Sequence, residues 1–236
     1  VDLQTMVSQA GFFKIGNHAD KFAVRLQQAA NALGLAMSDA QCVAILRYLD
    51  GLLLWGKAYN LTAITDPNEA LIKHIFDCMA IVPKLPFADK SGVSVLDIGT
   101  GAGLPAVLVA ILRPDWQITA LDSNQKKIRF IRQIVGELAL ENLTPVASRI
   151  ENFTGEFDVI TSRAFASLDD FVALGAPYLA AGGKLSAMKA KAPELDDKDL
   201  SQPVMFADKA WQCSVIALNV PELADTRCLV ELDLAD

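Results

Sequence analysis

The segment Val95-Leu96-Asp97-Ile98-Gly99-Thr100-Gly101-Ala102-Gly103-Leu104-Pro105 limits what this chain can become more than any other. An apolar run of strand length ends in an acid, and three alternate glycines then lead into a helical pattern. Glycine permits positive φ and leaves no side chain where a ligand must meet the backbone. Strand, glycine turn and helix in that order open a βαβ unit. In open α/β sheets the ligand crevice lies outside the carboxyl ends of the strands.

The same grammar continues downstream. Ile118 to Leu121 reads as a second strand and Gln125 to about Leu140 as a long helix. Pro145 to Ala147 is a weak third strand and Phe157 to Thr161 a fourth, with a helix near Leu168 to Leu179. Gly182-Gly183 turns into a fifth strand, Lys184 to Met188, and the tail supplies two more, Trp211 to Leu218 and Cys228 to Leu234. The alternation predicts an α/β fold, a doubly wound and mostly parallel sheet of seven strands, the last two forming an antiparallel edge hairpin. Upstream, Asp20 to Leu33 is amphipathic, Ser38 looks like an N-cap for a helix reaching Trp55, and a third helix passes through Ile72, Ile75, Phe76 and Met79 to end near Pro83. Residues 1–16 carry no pattern. The chain divides into a helical N-terminal extension, 1–90, and a ligand-binding domain, 91–236.

Composition excludes several classes. With 52% hydrophobic residues in 236, the chain has enough apolar surface for a full core. Its longest apolar run, Ala106 to Leu112, is far below the roughly 20 residues of a membrane helix, and no signal peptide is visible. Four scattered cysteines without a CxxC pair, and two histidines, predict idle thiols in a reducing cytoplasm and no metal site. The net charge of −7 argues against nucleic acid, but it is uneven. Residues 126–132, Lys-Lys-Ile-Arg-Phe-Ile-Arg, contain four positive charges and no acid.

Two cofactor classes compete for the glycine turn. Gly101, Gly103 and Ala106 fit the dinucleotide pattern G-x-G-x-x-[GA], and Asp122 lies about 20 residues on, where ribose recognition would want it. Asp97 favours the other class. A carboxylate there repels a pyrophosphate, whereas S-adenosylmethionine presents an ammonium and a sulfonium and carries no phosphate. Asp122 closes the second strand, where its oxygens can accept from both ribose hydroxyls or cap the next helix.

Four segments resemble the bacterial 16S rRNA guanine-N7 methyltransferases, the family called RsmG or glucose-inhibited division protein B. They are Trp55-Gly56-Lys57-Ala58-Tyr59-Asn60-Leu61-Thr62; Asp66-Pro67-Asn68-Glu69 through Lys73-His74-Ile75-Phe76-Asp77; the glycine turn with Leu121-Asp122-Ser123 and Lys126-Lys127-Ile128-Arg129-Phe130; and Ser162-Arg163-Ala164-Phe165-Ala166. The resemblance runs from about Leu35 to the C-terminus. It implies a Rossmann-like class I methyltransferase and an S-adenosylmethionine site completed by Gly99, Leu104, Ile150, Glu151 and Arg163. The implied substrate is the guanine at position 527 of 16S rRNA, free or in an assembling small subunit, and loss of that methyl group is linked to streptomycin resistance in the family. The family often has glycine where Ala106 and Ala190 stand here.

Guanine N7 carries a lone pair and no proton, so its methylation needs alignment rather than a base. The sequence has neither the Asn/Asp-Pro-Pro-aromatic motif of amine methyltransferases after the fourth strand nor the Pro-Cys pair of a C5-pyrimidine site. Arg163 stands there instead and is the expected catalytic residue, its guanidinium suited to guanine O6, phosphate or cofactor. Lys126, Lys127 and Arg149 are expected on RNA phosphates, although an outward charged face is commonly just solvated. By resemblance Asn60 and His74 join them, and Lys189, closing the fifth strand, stands on the substrate side. Trp55 and Tyr59 either stack on a base or belong to the core. The alternatives are a methyltransferase for another RNA or a small molecule, a NAD-binding oxidoreductase, and a non-catalytic RNA-binding module.

Overall fold

The computed structural model describes residues 2–163 and 165–235. Val1, Asp236 and Ala164, the last within the Ser162–Ala166 motif, lie outside the described residues. The chain starts with helix α1 (Leu3–Ala10), whose N-cap Asp2 accepts the Thr5 N–H at 2.9 Å and which stops at Gly11 in the left-handed region. Helix α2 (Ala19–Ala32) follows, then α3 (Asp39–Tyr59). Ser38 and Gln41 form a reciprocal capping box at the start of α3, and Asn60 ends it in the left-handed conformation. The third expected helix is three pieces: α4 (Pro67–Ala70), a π-helical turn (Leu71–Phe76) and α5 (Asp77–Ile81). Such π turns shift the face that side chains present, and they recur at functional sites.

Strands β1 (Ser94–Ile98), β2 (Gln117–Asp122), β3 (Leu143–Ala147), β4 (Phe157–Ser162) and β5 (Leu179–Lys189) alternate with helices α6 (Ala106–Leu112), α7 (Gln125–Leu138) and α8 (Leu168–Gly175). The last strands are β6 (Val204–Phe206), β7 (Lys209–Leu218) and β8 (Arg227–Leu234). The sheet therefore has eight strands rather than seven, in the order β3-β2-β1-β4-β5-β8-β7-β6. The first five pair in parallel, whereas β8 runs antiparallel between β5 and β7. The added strand β6 has three residues and pairs with β7 from Val204↔Trp211 to Phe206↔Lys209. Pro145 is tolerated because β3 is an edge strand.

Both faces of the sheet are covered. One buried cluster joins α2, α3, α5, α6 and α7 to the sheet, from Val7 to Leu229, so the N-terminal helices share a core with the strands. The other packs α8 against Leu96, Ile160, Leu185 and Trp211. Each such fully buried large side chain contributes roughly 1.5–3 kcal/mol. The order reverses between β1 and β4, so the crevice of this sheet opens at their carboxyl ends, where Ile98 meets the glycines and Ser162 meets Arg163. Among the described residues no helix is long and apolar enough to cross a membrane.

Candidate active site

The glycine turn is held by its own chain. Gly99 and Thr100 donate their N–H groups to Leu121 O, Gly103 and Leu104 donate to Thr100 O, and Gly101 donates to Asp122 Oδ2 at 2.9 Å. Gly99, Gly101 and Gly103 have φ of 68°, 59° and 94°. Their reasons differ. A Cβ at Gly99 would meet nothing within 4 Å, so that face is open for a ligand, whereas one at Gly103 would lie 2.5 Å from Val107 Cγ2. Gly103 thus lets the turn close onto α6, and Leu104 is buried behind it.

A cleft of about 300 Å³ opens on the other side, lined by Gly99, Asp122, Ser123, Ile150, Glu151 and Phe165 among others. Four of the expected cofactor residues, Gly99, Asp122, Ile150 and Glu151, meet there, along with Arg149. Asp122 accepts Gly101 N–H on one oxygen and Asn124 N–H, at 2.8 Å, on the other, which leaves lone pairs on both. Gly101, Gly103, Leu104, Asp97 and Arg163 stand outside this cleft's lining.

Asp97 is 1% exposed, beneath the turn. Its Oδ2 accepts the Ala106 N–H at 3.3 Å, and its Oδ1 has no hydrogen-bond partner. Burial pushes this carboxyl up to about 7, with the Thr100 side chain and then the Ala106 N–H pulling the other way. A buried acid with an orphaned oxygen suits a cation. The turn's N–H groups already donate within the protein, so the anion cradle that a dinucleotide pyrophosphate requires is absent from Gly99–Gly101 and from Gly103–Leu104. The residues fit a cationic adenosyl donor and do not fit a dinucleotide.

A second cleft, about 200 Å³, lies at the ends of β4 and β5. Its walls include Asp77, Arg163, Lys189, Ala190 and Arg227. Arg163 reaches back to the helical extension. It donates to Lys73 O at 2.7 Å, pairs with Asp77 Oδ2 at 3.1 Å and comes within 3.5 Å of His74 Nδ1. Asp77, 2% exposed, also holds Arg227 at 3.2 Å. His74 is 9% exposed, and its Nε2 lies 2.7 Å from Thr62 Oγ1. Thr62 Oγ1 accepts from Ile64 N–H, and Arg163 faces Nδ1, so the neutral Nε2–H tautomer satisfies both sides. Burial, then Arg163, lowers its pKa to about 4.

Of the expected RNA-contacting residues, Lys126 and Arg149 are exposed and Lys127 is half-buried. Lys126 and Lys127 stand in the first turn of α7, where their N–H groups are capped by Asn124. Asn60 is exposed at the end of α3. Lys189 is committed within the protein, with Glu194 at 2.9 Å and Ala166 O at 3.1 Å. Trp55 and Tyr59 stack on each other at 5.6 Å. Sequence reasoning assigned no role to Asp77, Thr62, Tyr48 or Arg227. Asp77 sits three residues after His74 inside a motif already singled out. Nothing local marks Tyr48, which donates its hydroxyl to Ala102 O at 2.8 Å and ties α3 to the glycine turn. The four cysteines are free and buried, and burial pushes Cys42 and Cys78 up to about 12, which removes both as nucleophiles. Among the described residues no cluster of three or more His, Cys, Asp or Glu side chains is placed to hold a metal.

Solved structures of similar fold include a SAM dependent methyltransferase from Aquifex aeolicus (TM-score 0.51, 17% identity, 72% of this chain and 94% of that one). Another is phosphoethanolamine N-methyltransferase 1 of Haemonchus contortus, in complex with phosphoethanolamine and S-adenosylhomocysteine (TM-score 0.51, 15% identity, 82% of this chain and 50% of that one). At such identities the likeness concerns the fold alone. Sequence relatives are much nearer. The ribosomal RNA small subunit methyltransferase G of Psychrobacter cryohalolentis is 56% identical over 226 residues, 96% of this chain and 90% of that protein. The protein of the same name from Acinetobacter baumannii is 44% identical over 216 residues, 89% and 97%. The family model for rRNA small subunit methyltransferase G (GidB) matches residues 41–226. This chain belongs to the rRNA small subunit methyltransferase G family.

Proposed function

We propose that this chain transfers the methyl group of S-adenosylmethionine to N7 of a guanine, position 527 by family resemblance, in the 16S rRNA of the small ribosomal subunit. The observation that carries the donor is the pairing of a buried, partnerless Asp97 oxygen with turn N–H groups that already donate to protein acceptors. Family membership carries the rRNA substrate and the base.

When bound, S-adenosylmethionine supplies an electrophilic methyl on a sulfonium. Asp97 balances its ammonium through the glycine turn. Asp122 accepts from the ribose hydroxyls, Glu151 and Ile150 flank the adenosine, and open Gly99 lets it approach the backbone. Gly101, Gly103 and Leu104 set the shape of the turn. Arg163, the catalytic residue, meets the guanine side at O6 or phosphate. It is positioned by Asp77 and His74, with Lys189 and Arg227 in the same cleft. No side chain takes a proton from N7, because that nitrogen has none. Lys126, Lys127, Arg149 and Asn60 guide the RNA backbone.

In this reading residues 1–90 form the substrate-side extension and 91–236 the donor-binding domain. The enzyme works in the cytoplasm on free 16S rRNA or an assembling subunit, needs no metal, and its loss confers streptomycin resistance. The test is chemical. Unmethylated 16S rRNA treated with protein and cofactor is cleaved at N7-methylguanine, and one new cleavage site is expected. A protein that binds S-adenosylhomocysteine and rRNA yet yields no new site overturns the activity.

A further inference from the structure

One large cavity meets the chemistry above only at Asn60. It is a groove of about 770 Å³ on the helical extension, within the size range of ligand sites. Leu53, Leu54 and Ile64 give it apolar walls, and Lys14, Lys57 and Asn60 give it polar ones. The lining includes two lysines and no acid, in a chain of net charge −7. The adjacent carboxylate, Asp66, is turned to the Glu69 N–H at 2.8 Å, where it caps α4. Among the described residues neither Lys14 nor Lys57 has an ion-pair partner.

One lip of the groove is held in place deliberately. Asp50, 6% exposed on α3, accepts the N–H groups of Phe13 at 3.1 Å, Lys14 at 2.6 Å and Ile15 at 3.0 Å. Three backbone donors on one buried carboxylate fix this turn as firmly as a helix cap. What the turn displays is Lys14 on the groove and, next to it, a Phe13 side chain that is 81% exposed. Leu54, lining the same groove, is 37% exposed. A solvent-facing aromatic on a turn whose backbone is anchored, one residue before a lysine that lines the groove, is the composition of a single-strand stacking platform.

A chain of side-chain contacts links the groove to Arg163. Thr62 lines the groove and touches His74, which in turn faces Arg163. We propose that this groove seats single-stranded rRNA flanking the target guanine, with Lys14 and Lys57 on its phosphates and a base stacked on Phe13. The proposal rests on the rRNA reading above. It adds to it a contact from residues 13 and 14, which precede the stretch 41–226 that the family model matches.

The test compares full-length Lys14→Ala/Lys57→Ala, Phe13→Ala and Lys14→Arg/Lys57→Arg with the wild type. Binding to a naked 16S rRNA transcript and to unmethylated small subunits is measured across salt concentrations, with S-adenosylmethionine affinity alongside. The double alanine variant should bind the transcript about tenfold more weakly. Its log K against log salt slope should flatten by about 1.4, at roughly 0.7 per phosphate contact on a single strand. Phe13→Ala should cost at least about fivefold. The double arginine variant should restore the affinity, and cofactor affinity should stay constant throughout. Transcript affinity within twofold of wild type for both alanine variants overturns the proposal. So does a loss seen on assembled subunits alone, which would make the occupant a ribosomal protein. Because the readout is binding, a wild type that holds rRNA without methylating it sinks the activity while the groove is still judged by the same slopes.

Discussion

Replacing Asp97 with Asn separates what the buried acid does for the donor from what it costs the fold. Its carboxyl lies at about 7 in the folded protein against an ordinary 3.8. Between those values the unfolded chain has released the proton and the folded chain has kept it, so stability falls as pH rises from about 4 and levels off above 7. At ~1.36 kcal/mol per pH unit the full penalty is about 4 kcal/mol. The Asn oxygen can still accept the Ala106 N–H, but its buried amide donors find no partner, which returns about 1–3 kcal/mol. Asp97→Asn should therefore be more stable than wild type by about 1–3 kcal/mol at pH 8 and less stable than wild type at pH 4, where the acid is protonated and the amide cost of about 1–3 kcal/mol is left nearly alone. Melting temperature across pH reads this directly, at about 2–4 °C per kcal/mol for a chain of this size.

The same substitution removes the charge proposed to balance the donor's ammonium. Truncating one partner of a buried charge pair costs about 2–5 kcal/mol, so affinity for S-adenosylmethionine should fall by roughly 30-fold or more. In the wild type, binding should lock Asp97 as the carboxylate. About half a proton should leave per donor bound at pH 7 and nearly one at pH 6, measurable by calorimetry in buffers of different ionisation enthalpy. A variant that is less stable at pH 8, or that binds the donor as the wild type does with the same proton release, refutes the reasoning.

Other perturbations probe the remaining parts. His74 should contribute the opposite pH trend: its pKa is lowered to about 4 from 6.5, so ~3 kcal/mol is lost as pH falls from 6.5 to 4, and nitrogen NMR should find it neutral at pH 5.5. Gly103→Ala combines positive φ with a Cβ 2.5 Å from Val107, and denaturant melts should show a loss of roughly 2–4 kcal/mol. Asp77→Asn leaves Arg163 and Arg227 without their shared anion; stability should fall by roughly 3–5 kcal/mol and kcat should drop while donor affinity holds within twofold. Lys126→Ala with Lys127→Ala should weaken rRNA binding and lower its salt slope by roughly 1–2, without changing cofactor affinity.

What was legible in the sequence is what the chain encodes locally. Asp97, the glycines and Asp122 follow from strand–turn–helix order, and the sheet rule puts the crevice at their end of β1, where Gly99 and Asp122 line the cleft. Ser38 signalled its helix by its side chain alone. The three-residue β6 was invisible because it exists through pairing with β7, not through its own pattern. A run as short as α1 has too few turns to show a period. Arg163 was placed correctly at a strand end, but its direction depends on Asp77, 86 residues earlier, and no spacing rule joins them. Lys189 was expected on the substrate side from its place at the end of the fifth strand, and nothing local shows that the chain after β5 bends Glu194 back to within 2.9 Å of it.

These long-range contacts tie the N-terminal helices to both the glycine turn and Arg163. Tyr48 grips the carbonyl of Ala102 in the donor's turn, while Asp77 and His74 grip the guanidinium on the acceptor's side. The two sides are adjacent in the sheet, with Asp97 of β1 in register with Thr161 of β4, two residues before Arg163. The helices that make both grips share a single buried core with the strands. A reaction that needs no proton transfer depends on holding N7 in line behind the methyl, and misplacement by an ångström costs about 100-fold. If Arg163 meets the base as proposed, that alignment is a property of the α3–α5 scaffold, because the same core holds both the glycine turn and the arginine.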